Sequence, residues 1–105
     1  MKLELSKKFD QRCYDLLLQI PKGKVTTYRE IAHALGTKAY RAVGQAMNRN
    51  PNLVRVPCHR VVKSNGEVGG YAQGEIEKIK LLLEEGIAIR KNKILNLEIH
   101  LHQFR

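Results

Sequence analysis

The sequence predicts a mainly α-helical domain built around a helix-turn-helix. Helical periodicity marks four segments, residues 6–20, 27–35, 39–49 and 74–85. A short turn at Gly36 joins the second to the third, which is the helix-turn-helix pattern. The 105 residues carry a formal net charge of +9, with 19 Lys and Arg against 10 Asp and Glu. Plain helical hairpins also have short turns, so it is the positive charge that favours nucleic acid as the partner.

The first helix is predicted over residues 6–20. Ser6 is placed to cap its amino end, and Pro21 ends it. Cys13 falls on the core-facing stripe, so we expect its thiol to be structural and inert. The residues of this stripe follow one another at helical spacing: Phe9, Cys13, Leu16, Leu17 and Ile20.

The next two helices carry the predicted nucleic-acid face. Thr27 and Glu30 have the spacing of a capping box at the start of the second helix. In the third helix a polar stripe lies opposite the core stripe, and it contains Gly44. Glycine on an exposed helix face costs about 1 kcal/mol relative to alanine, so Gly44 indicates the close approach of another surface. The core stripe is Ala39, Val43, Ala46 and Met47, and the polar stripe is Arg41, Gly44, Gln45 and Asn48.

The last third of the chain is predicted to form a helix and a β-hairpin. In the helix, residues 74–85, we expect Ile76, Ile79, Leu82 and Leu83 to be buried and Lys78, Lys80 and Glu84 to be solvated. The tail from Ile87 to His102 has the pattern of a hairpin whose second arm alternates in period two. His100 and His102 would share one face of that arm, but without a third ligand a solvated face is favoured over a metal site.

Composition and termini limit the function classes. The chain is 43% hydrophobic and 28% charged, which is typical of a soluble globular domain, and residues 1–105 are predicted to form a single one. No apolar run approaches the ~18 residues of a membrane span, and residues 1–6 lack the apolar core and cleavage-site pattern of a signal peptide, so we expect no membrane partner and a cytoplasmic, nucleoid-associated location. Two cysteines without zinc-ligand spacing predict no metal and no cofactor.

Cys58 is the first candidate for chemistry. It lies between Pro57 and the adjacent imidazole of His59, and Arg60 follows. Cysteine is a nucleophile only as the thiolate, which a neighbouring base and cations favour. An isolated Cys-His pair is more commonly a buried small residue beside an ordinary strand residue, so the pair alone leaves both interpretations open.

Several segments in order resemble the DNA-binding domain of the 6-O-alkylguanine-DNA alkyltransferases, the methylated-DNA–protein-cysteine methyltransferases. The resemblance covers roughly residues 9–86, and the Pro-Cys-His-Arg-Val motif is highly specific for this family and its close relatives. The matching residues are Tyr28, Arg41 to Met47, Asn50-Pro51, Pro57 to Val61, Gly69-Gly70-Tyr71 and Glu85.

The resemblance implies a winged helix-turn-helix domain that binds duplex DNA through the minor groove, to which the sequence pattern adds short β elements and the C-terminal β-hairpin. Its recognition helix would be residues 39–49. Arg41 would fill the place of the extruded nucleotide while the damaged guanine turns into a pocket beside Cys58. The DNA-binding residues by this match are Arg41, Ala42, Gly44, Gln45 and Tyr28.

The resemblance also implies the chemistry. Cys58 would take the alkyl group from O6 of guanine once per molecule, and His59, acting through water and oriented by Glu85, would take the thiol proton. Tyr28 would turn the nucleotide and protonate the guanine ring, and Asn50 would tie the helix-turn-helix to the Cys58 loop. The substrate pocket would be lined by Val61, Gly69, Tyr71 and Ala72.

The chain departs from the family pattern at three points. We expect no separate amino-terminal domain, Leu53 stands where many members have proline, and Ala72 stands where many have serine. The last two put the pocket shape and the range of adducts in question.

Three functions follow. We predict a monomeric single-turnover transferase acting on double-stranded DNA that contains 6-O-alkylguanine. The alternative is an alkyltransferase-like protein that holds the lesion without chemistry and signals to excision-repair partners; such proteins usually have tryptophan in place of the reactive cysteine, whereas this chain has Cys58 and no Trp. A helix-turn-helix regulator would leave Tyr28, Asn50 and Glu85 unexplained.

Overall fold

The computed structural model describes the backbone of residues 2–104 and the side chains of residues 8–104. Helices dominate this part of the chain, as predicted, and the strands are two residues long. A single 3₁₀ turn, Cys58–Arg60, precedes the second strand. The helices are α1 (Lys2–Leu17), α2 (Tyr28–Ala34), α3 (Tyr40–Asn48), α4 (Glu75–Glu84) and α5 (Leu97–His100), and the strands are β1 (Thr26–Thr27), β2 (Val61–Val62), β3 (Ile89–Arg90) and β4 (Lys93–Ile94).

The first helix is longer at its amino end than predicted. It begins at Lys2 and ends at Leu17, so residue 6 lies inside it and the predicted cap at Ser6 is wrong; the Ser6 side chain itself lies outside the described residues. Cys13 is fully buried, as predicted. Burial, together with the charge of Asp10, raises the pKa of the Cys13 thiol to about 11, which keeps it protonated and inert.

The helix-turn-helix is α2 and α3. Thr27 caps α2, its Oγ1 accepting a hydrogen bond from the backbone N–H of Glu30 at 3.0 Å, which is half of the predicted capping box. At the other end Gly36 has φ +74 and its N–H donates to His33 O, while the N–H of Thr37 donates to Ala32 O, both at 2.9 Å. This Schellman arrangement needs a left-handed residue, which explains the glycine at the turn.

Contacts from α1 hold α3 in place. The hydroxyl of Tyr14 donates to the carbonyl of Ala46 at 2.7 Å. The Arg49 guanidinium donates to both oxygens of Asp10, at 2.7 and 2.8 Å. The core between the helices is apolar and includes Cys58. Its buried members are Cys13, Tyr14, Leu17, Ile20, Ile31, Ala32, Val43, Ala46, Met47, Cys58 and Val61.

A short parallel pairing brings the amino end of α2 to the Cys58 turn. Thr26 of β1 pairs with Val61 of β2, and Thr27 with Val62. Both strands are fully buried or nearly so. Because Tyr28 follows β1 directly and Cys58 precedes β2 by three residues, this pairing places the two side chains in one cluster.

The orientation of α4 differs from the prediction. Ile76 and Leu83 are 85% and 51% exposed, whereas Lys78 is fully buried. Leu82 is buried and Ile79 is partly buried, as predicted. The prediction placed Ile76 and Leu83 in the core and Lys78 in solvent, but the helix is rotated so that Lys78 and Leu82 face inward.

The hairpin after α4 is shorter than predicted. β3 and β4 pair antiparallel through a two-residue turn in which Lys91 and Asn92 have φ of 51 and 63, the geometry that suits hairpins. The predicted long second arm is wrong, because the chain turns at Asn96, in the left-handed region, and forms α5. His100 therefore lies in a helix, and does not share a strand face with His102.

No helix within residues 2–104 combines the length and the apolar character that crossing a membrane requires.

Candidate functional site

Cys58 lies at the start of the 3₁₀ turn, and its side chain is almost completely buried, 3% exposed. The loop that leads to it is fixed by Asn50, which follows α3. The Asn50 Nδ2 donates to the carbonyl of Val56 at 2.8 Å, and its Oδ1 accepts from the N–H of Asn52 at 2.9 Å. These bonds connect the end of α3 to the residues just before Cys58, which is the arrangement implied by the resemblance.

His59 and Glu85 are hydrogen bonded. The Nε2 of His59 lies 2.9 Å from the Glu85 Oε2, and the side chains are 0% and 9% exposed. Arg60 holds the same carboxylate with two further bonds, Nε to Oε1 at 2.9 Å and Nη2 to Oε2 at 2.7 Å. Its Nη1 donates to the carbonyl of Ile20 at 2.8 Å. Glu85 is thus held in one orientation by a bidentate arginine, the geometry in which such bonds are strongest.

The contacts of Arg60 were not predicted from the sequence. The prediction was that its positive charge favours the Cys58 thiolate, but the guanidinium donates hydrogen bonds to the Glu85 carboxylate and the Ile20 carbonyl. The signal was weak, because a sequence does not say which carboxylate an arginine meets.

The protonation states suit a thiol next to a base. Burial lowers the pKa of His59 below its ordinary value of 6.5, an effect that the hydrogen bond to Glu85 only partly opposes, so the imidazole is neutral at pH 7. Burial would raise the pKa of Glu85, but the bonds from Arg60 and His59 outweigh it and lower that pKa. Burial raises the pKa of Cys58, against the opposing effects of Asn50 and Lys78. The thiol therefore needs a base to ionise at neutral pH.

One nitrogen of His59 remains available. With Nε2 bonded to Glu85, the buried Nδ1 has no hydrogen-bond partner among the described residues. It is the atom that can accept a proton.

The lowered pKa values of His59 and Glu85 predict an acid-sensitive fold. Below pH 6.5 the unfolded chain binds a proton at His59 that the folded chain does not, so the free energy of unfolding falls as pH falls. The free energy of unfolding falls again below pH 4.5, because Glu85 becomes protonated at a higher pH in the unfolded chain than in the folded chain. We expect His59→Gln to flatten the first decline, measured by urea unfolding at a series of pH values. An identical slope in wild type and variant would contradict the lowered pKa of His59.

The predicted pocket residues, except Ala72, lie in or beside the apolar cluster that contains Cys58. Tyr28, Val61 and Tyr71 belong to the same apolar cluster as Cys58, and the Tyr71 ring centre lies 6.4 Å from that of His59. Gly69 has φ +76, which favours glycine, and a Cβ there would lie 3.2 Å from the Tyr28 hydroxyl, so the space for a side chain is tight. Ala72 is exposed.

Lys78 was predicted to be solvated, but it is buried at the edge of this pocket. Its Nζ donates to the carbonyls of Val61 and Gly70 at 2.6 and 2.9 Å. The sequence did contain a signal. Lys78, Leu82 and Glu85 are spaced i, i+4 and i+7 along one helix face, so assigning Glu85 to the site already implied that Lys78 faces inward.

The predicted DNA-binding residues of α3 lie together on the face opposite the core. Arg41 and Gln45 are exposed, and Ala42 and Gly44 are half-buried. A Cβ at Gly44 would meet no atom within 4 Å. Nothing within the described residues therefore requires glycine at this position, and an added side chain would enter open space.

A separate cleft of about 250 Å³ lies beside the glycine-rich loop, and Cys58 does not line it. Among the side chains of residues 8–104, no group of three or more His, Cys, Asp or Glu is placed to hold a metal ion. The cleft residues are Lys63, Glu67, Val68, Gly69, Gly70, Glu75 and Asn92.

Comparison with known proteins gives consistent matches. Residues 8–87 match the model of the 6-O-methylguanine DNA methyltransferase DNA-binding domain. A methylated-DNA–protein-cysteine methyltransferase of Methanosarcina barkeri is 48% identical over 79 residues, which are 73% of this chain and 50% of that protein. The chain spans half or less of the length of such curated relatives.

Two solved structures are similar. The O6-methylguanine-DNA methyltransferase of Pyrococcus kodakaraensis is 46% identical with a TM-score of 0.70, over 75% of this chain and 46% of that one. Schizosaccharomyces pombe Atl1, in complex with damaged DNA containing O6-carboxymethylguanine, is 35% identical with a TM-score of 0.82, over 93% of this chain and 97% of that one.

Proposed function

This chain belongs to the family of 6-O-methylguanine DNA methyltransferase DNA-binding domains, and on that premise we propose that it transfers an alkyl group from O6 of guanine in duplex DNA to Cys58. The observation that carries the proposal is the hydrogen-bonded line from Arg60 through Glu85 to His59, the neighbour of the thiol. A plain DNA-binding module has little need of a buried carboxylate that is ion-paired with an arginine and hydrogen bonded to a neutral histidine. It suits a base that must receive a proton.

The transfer is a displacement at carbon. Cys58 loses its proton, through a water molecule, to Nδ1 of His59, and the resulting imidazolium is stabilised by Glu85. The sulfur attacks the alkyl carbon, a carbon–sulfur bond forms, and the carbon–O6 bond breaks with its electron pair passing to the guanine. Tyr28 donates the proton that neutralises the guanine anion. Burial and the charge of Cys58 raise the pKa of Tyr28, so this phenol stays protonated until the anion forms.

The product limits the reaction to one turnover. A thioether on Cys58 has no good leaving group, and no second nucleophile takes part in the reaction, so the alkyl group stays on the sulfur. Each protein molecule therefore repairs one base.

Delivery of the base depends on α3. We propose that α3 lies in the minor groove, that Arg41 takes the place of the extruded nucleotide, and that Ala42, Gly44 and Gln45 face the DNA. The net charge of +9 supports the attraction to phosphate. Tyr71, Val61 and Gly69 then border the extruded guanine.

The substitution Gly44→Ala is expected to change protein stability and DNA affinity in opposite directions. We expect the free energy of unfolding to rise by about 1 kcal/mol, because alanine is the better helix former and a Cβ at residue 44 meets nothing. We expect affinity for duplex DNA to fall severalfold, because the added methyl group prevents close approach. Urea unfolding and fluorescence anisotropy measure the two effects. Higher stability with unchanged affinity would remove Gly44 from the DNA interface.

The decisive experiment for the proposal is a mass measurement. The protein is incubated with a duplex carrying 6-O-methylguanine, and its intact mass and peptide map are taken. A gain of one methylene on Cys58 is expected. Tight binding with an unaltered mass would overturn the transferase.

That second outcome would favour the alternative, a protein that holds the lesion without chemistry. One observation supports it: the likeness to Atl1 covers 93% of the chain, more than the 86 residues that precede the tail, so part of the tail is matched as well. Cys58 and its base favour the transferase over this alternative.

A further inference from the structure

The tip of the β3–β4 hairpin, residues 90–93, carries three positive charges that the fold does not explain. Residues 87–97 include Arg90, Lys91 and Lys93 and no Asp or Glu. All three side chains are exposed. None of the ion pairs found among residues 8–104 includes any of them. The matched domain model ends at residue 87, so the hairpin tip lies outside the part of the chain that the family model describes.

Two of these charges lie directly opposite each other. Arg90 of β3 is the cross-strand partner of Lys93 of β4, and like charges in such a pair destabilise a hairpin. The neighbouring pair is Ile89 and Ile94, which pack in and against the second apolar cluster. Because successive pairs project from opposite faces, Arg90 and Lys93 both face away from the core.

Lys91 is unfavourable for a different reason. It is the first residue of the two-residue turn and has φ 51, in the left-handed region. Glycine, asparagine and aspartate are preferred there, because a longer side chain costs conformational energy in this region. The shape of the turn therefore does not account for a lysine, which indicates a use for its charge outside the fold.

The carboxylates that adjoin the hairpin tip leave these charges unpaired. Glu67 forms a backbone bridge with Lys93, but its Oε1 accepts from the Asn65 Nδ2 at 2.6 Å. Glu67 and Glu75 line the cleft described above, and neither belongs to an ion pair found among residues 8–104. Lys63 lines the same cleft and adds a fourth exposed positive charge. The arrangement lacks an anion from outside the chain.

The hairpin tip adjoins the loop that borders the predicted substrate pocket. The N–H of Val68 donates to the carbonyl of Asn92 at 3.0 Å. A Cβ on the next residue of that loop, Gly69, would lie 3.2 Å from the Tyr28 hydroxyl. Paired strands lie about 4.8 Å apart, so the tip is one strand spacing away from the loop that contacts Tyr28.

We propose that the hairpin tip binds phosphates of duplex DNA beside the nucleotide that enters the Cys58 pocket. The proposal rests on the proposed function, because it takes Tyr28 to face that nucleotide. Duplex DNA has one negative charge for about every 1.7 Å of its axis, so phosphates of the neighbouring nucleotides lie close to the pocket. They supply the anions that the three side chains lack. This contact adds affinity for any duplex, without preference for base sequence.

The test is the salt dependence of affinity for a 6-O-methylguanine duplex, measured by fluorescence anisotropy. Each phosphate contact that is lost lowers the slope of log affinity against log salt concentration by about 0.9. In Arg90→Gln/Lys93→Gln we expect the slope to fall by about 1.8 and the affinity at about 0.1 M salt to fall at least tenfold. An unchanged slope in the folded double variant would overturn the proposal.

The matched control, Lys22→Gln/Lys80→Gln, removes two exposed positive charges elsewhere. Lys22 precedes Gly23, where a Cβ would lie 3.6 Å from the Glu85 carbonyl at the carboxyl end of α4. The cleft beside the hairpin tip is at the other end of this helix, about 15 Å away. We expect the control to keep the wild-type slope. Equal changes in the two double variants would mean that net charge alone matters, and the contact would be wrong.

A single variant, Lys91→Asn, separates binding from stability. We expect the slope to fall by about 0.9, because one phosphate contact is lost. We expect the urea midpoint to rise, because asparagine suits the left-handed turn better than lysine does. If Arg90→Gln/Lys93→Gln does not fold, an unchanged slope in Lys91→Asn overturns the proposal by itself.

The hairpin contact and the transferase fail in different ways, because the salt slopes do not require methyl transfer. If the wild-type protein binds the duplex but never gains a methylene, the transferase is wrong and the slopes still decide the hairpin contact. Normal transfer with equal slopes in the wild type and the hairpin variants removes the hairpin contact alone.

Discussion

Glu85→Ala is expected to lower the free energy of unfolding by about 3–5 kcal/mol, the usual cost of removing one partner of a buried ion pair. The carboxylate accepts two bonds from Arg60 and lies 2.9 Å from His59 Nε2, and all three side chains are 14% exposed or less. Without it the guanidinium keeps only the carbonyl of Ile20 as an acceptor. Urea unfolding monitored by circular dichroism measures the loss.

The matched control is Glu84→Ala, because Glu84 is the neighbouring glutamate and is exposed. It should change the free energy of unfolding by no more than about 0.5 kcal/mol. Glu85→Gln separates charge from shape, since an amide oxygen can still accept from His59. Equal losses in Glu84→Ala and Glu85→Ala would mean that the carboxylate at residue 85 does not hold Arg60 and His59 together.

Cys58→Ala is expected to abolish methyl transfer completely while binding to the 6-O-methylguanine duplex persists. In the proposed mechanism the sulfur accepts the alkyl group, whereas the proposed DNA contacts lie on α3 and at the hairpin tip. Transfer is followed by loss of the methylated base from the duplex, and binding by anisotropy with methylated and unmethylated duplexes of the same sequence.

Cys13→Ala is the matched control for this experiment. Both thiols are buried in the same core cluster, so the two changes cost comparable stability, but only Cys58 has the imidazole next to it. Cys13→Ala should retain full transfer. Methyl removal by Cys58→Ala would mean that another group accepts the methyl and that the mechanism proposed here is wrong.

The sequence was sufficient to predict the helix-turn-helix because its signals are local. Thr27 and Gly36, nine residues apart, specify a cap and a left-handed terminator for the same helix, and the structure has both. The Cys58 site required more. Periodicity does not reveal that residue 85 approaches residue 59, and it was the resemblance to a family that suggested this contact.

Lys78 and the tail were mispredicted for physical reasons. A prediction from the hydrophobic pattern assumes that a charged residue faces water. The assumption fails for Lys78, because the carbonyls of Val61 and Gly70 accept hydrogen bonds from its ammonium inside the protein. In the tail, the alternating residues also fit a short helix, and Asn96, with φ 54, makes the turn that favours it. Both outcomes depend on distant parts of the chain.

The pairing of the tail with the first strand has a consequence for synthesis. Val25 donates its N–H to the carbonyl of His100 at 2.9 Å and accepts from the N–H of His102 at 2.7 Å, a contact across more than 70 residues. A nascent chain cannot form it until residue 102 has left the ribosome. Until then the backbone of Val25, next to the strand that positions Tyr28, lacks these two hydrogen-bond partners, so this end of β1 is completed only after the tail has been translated.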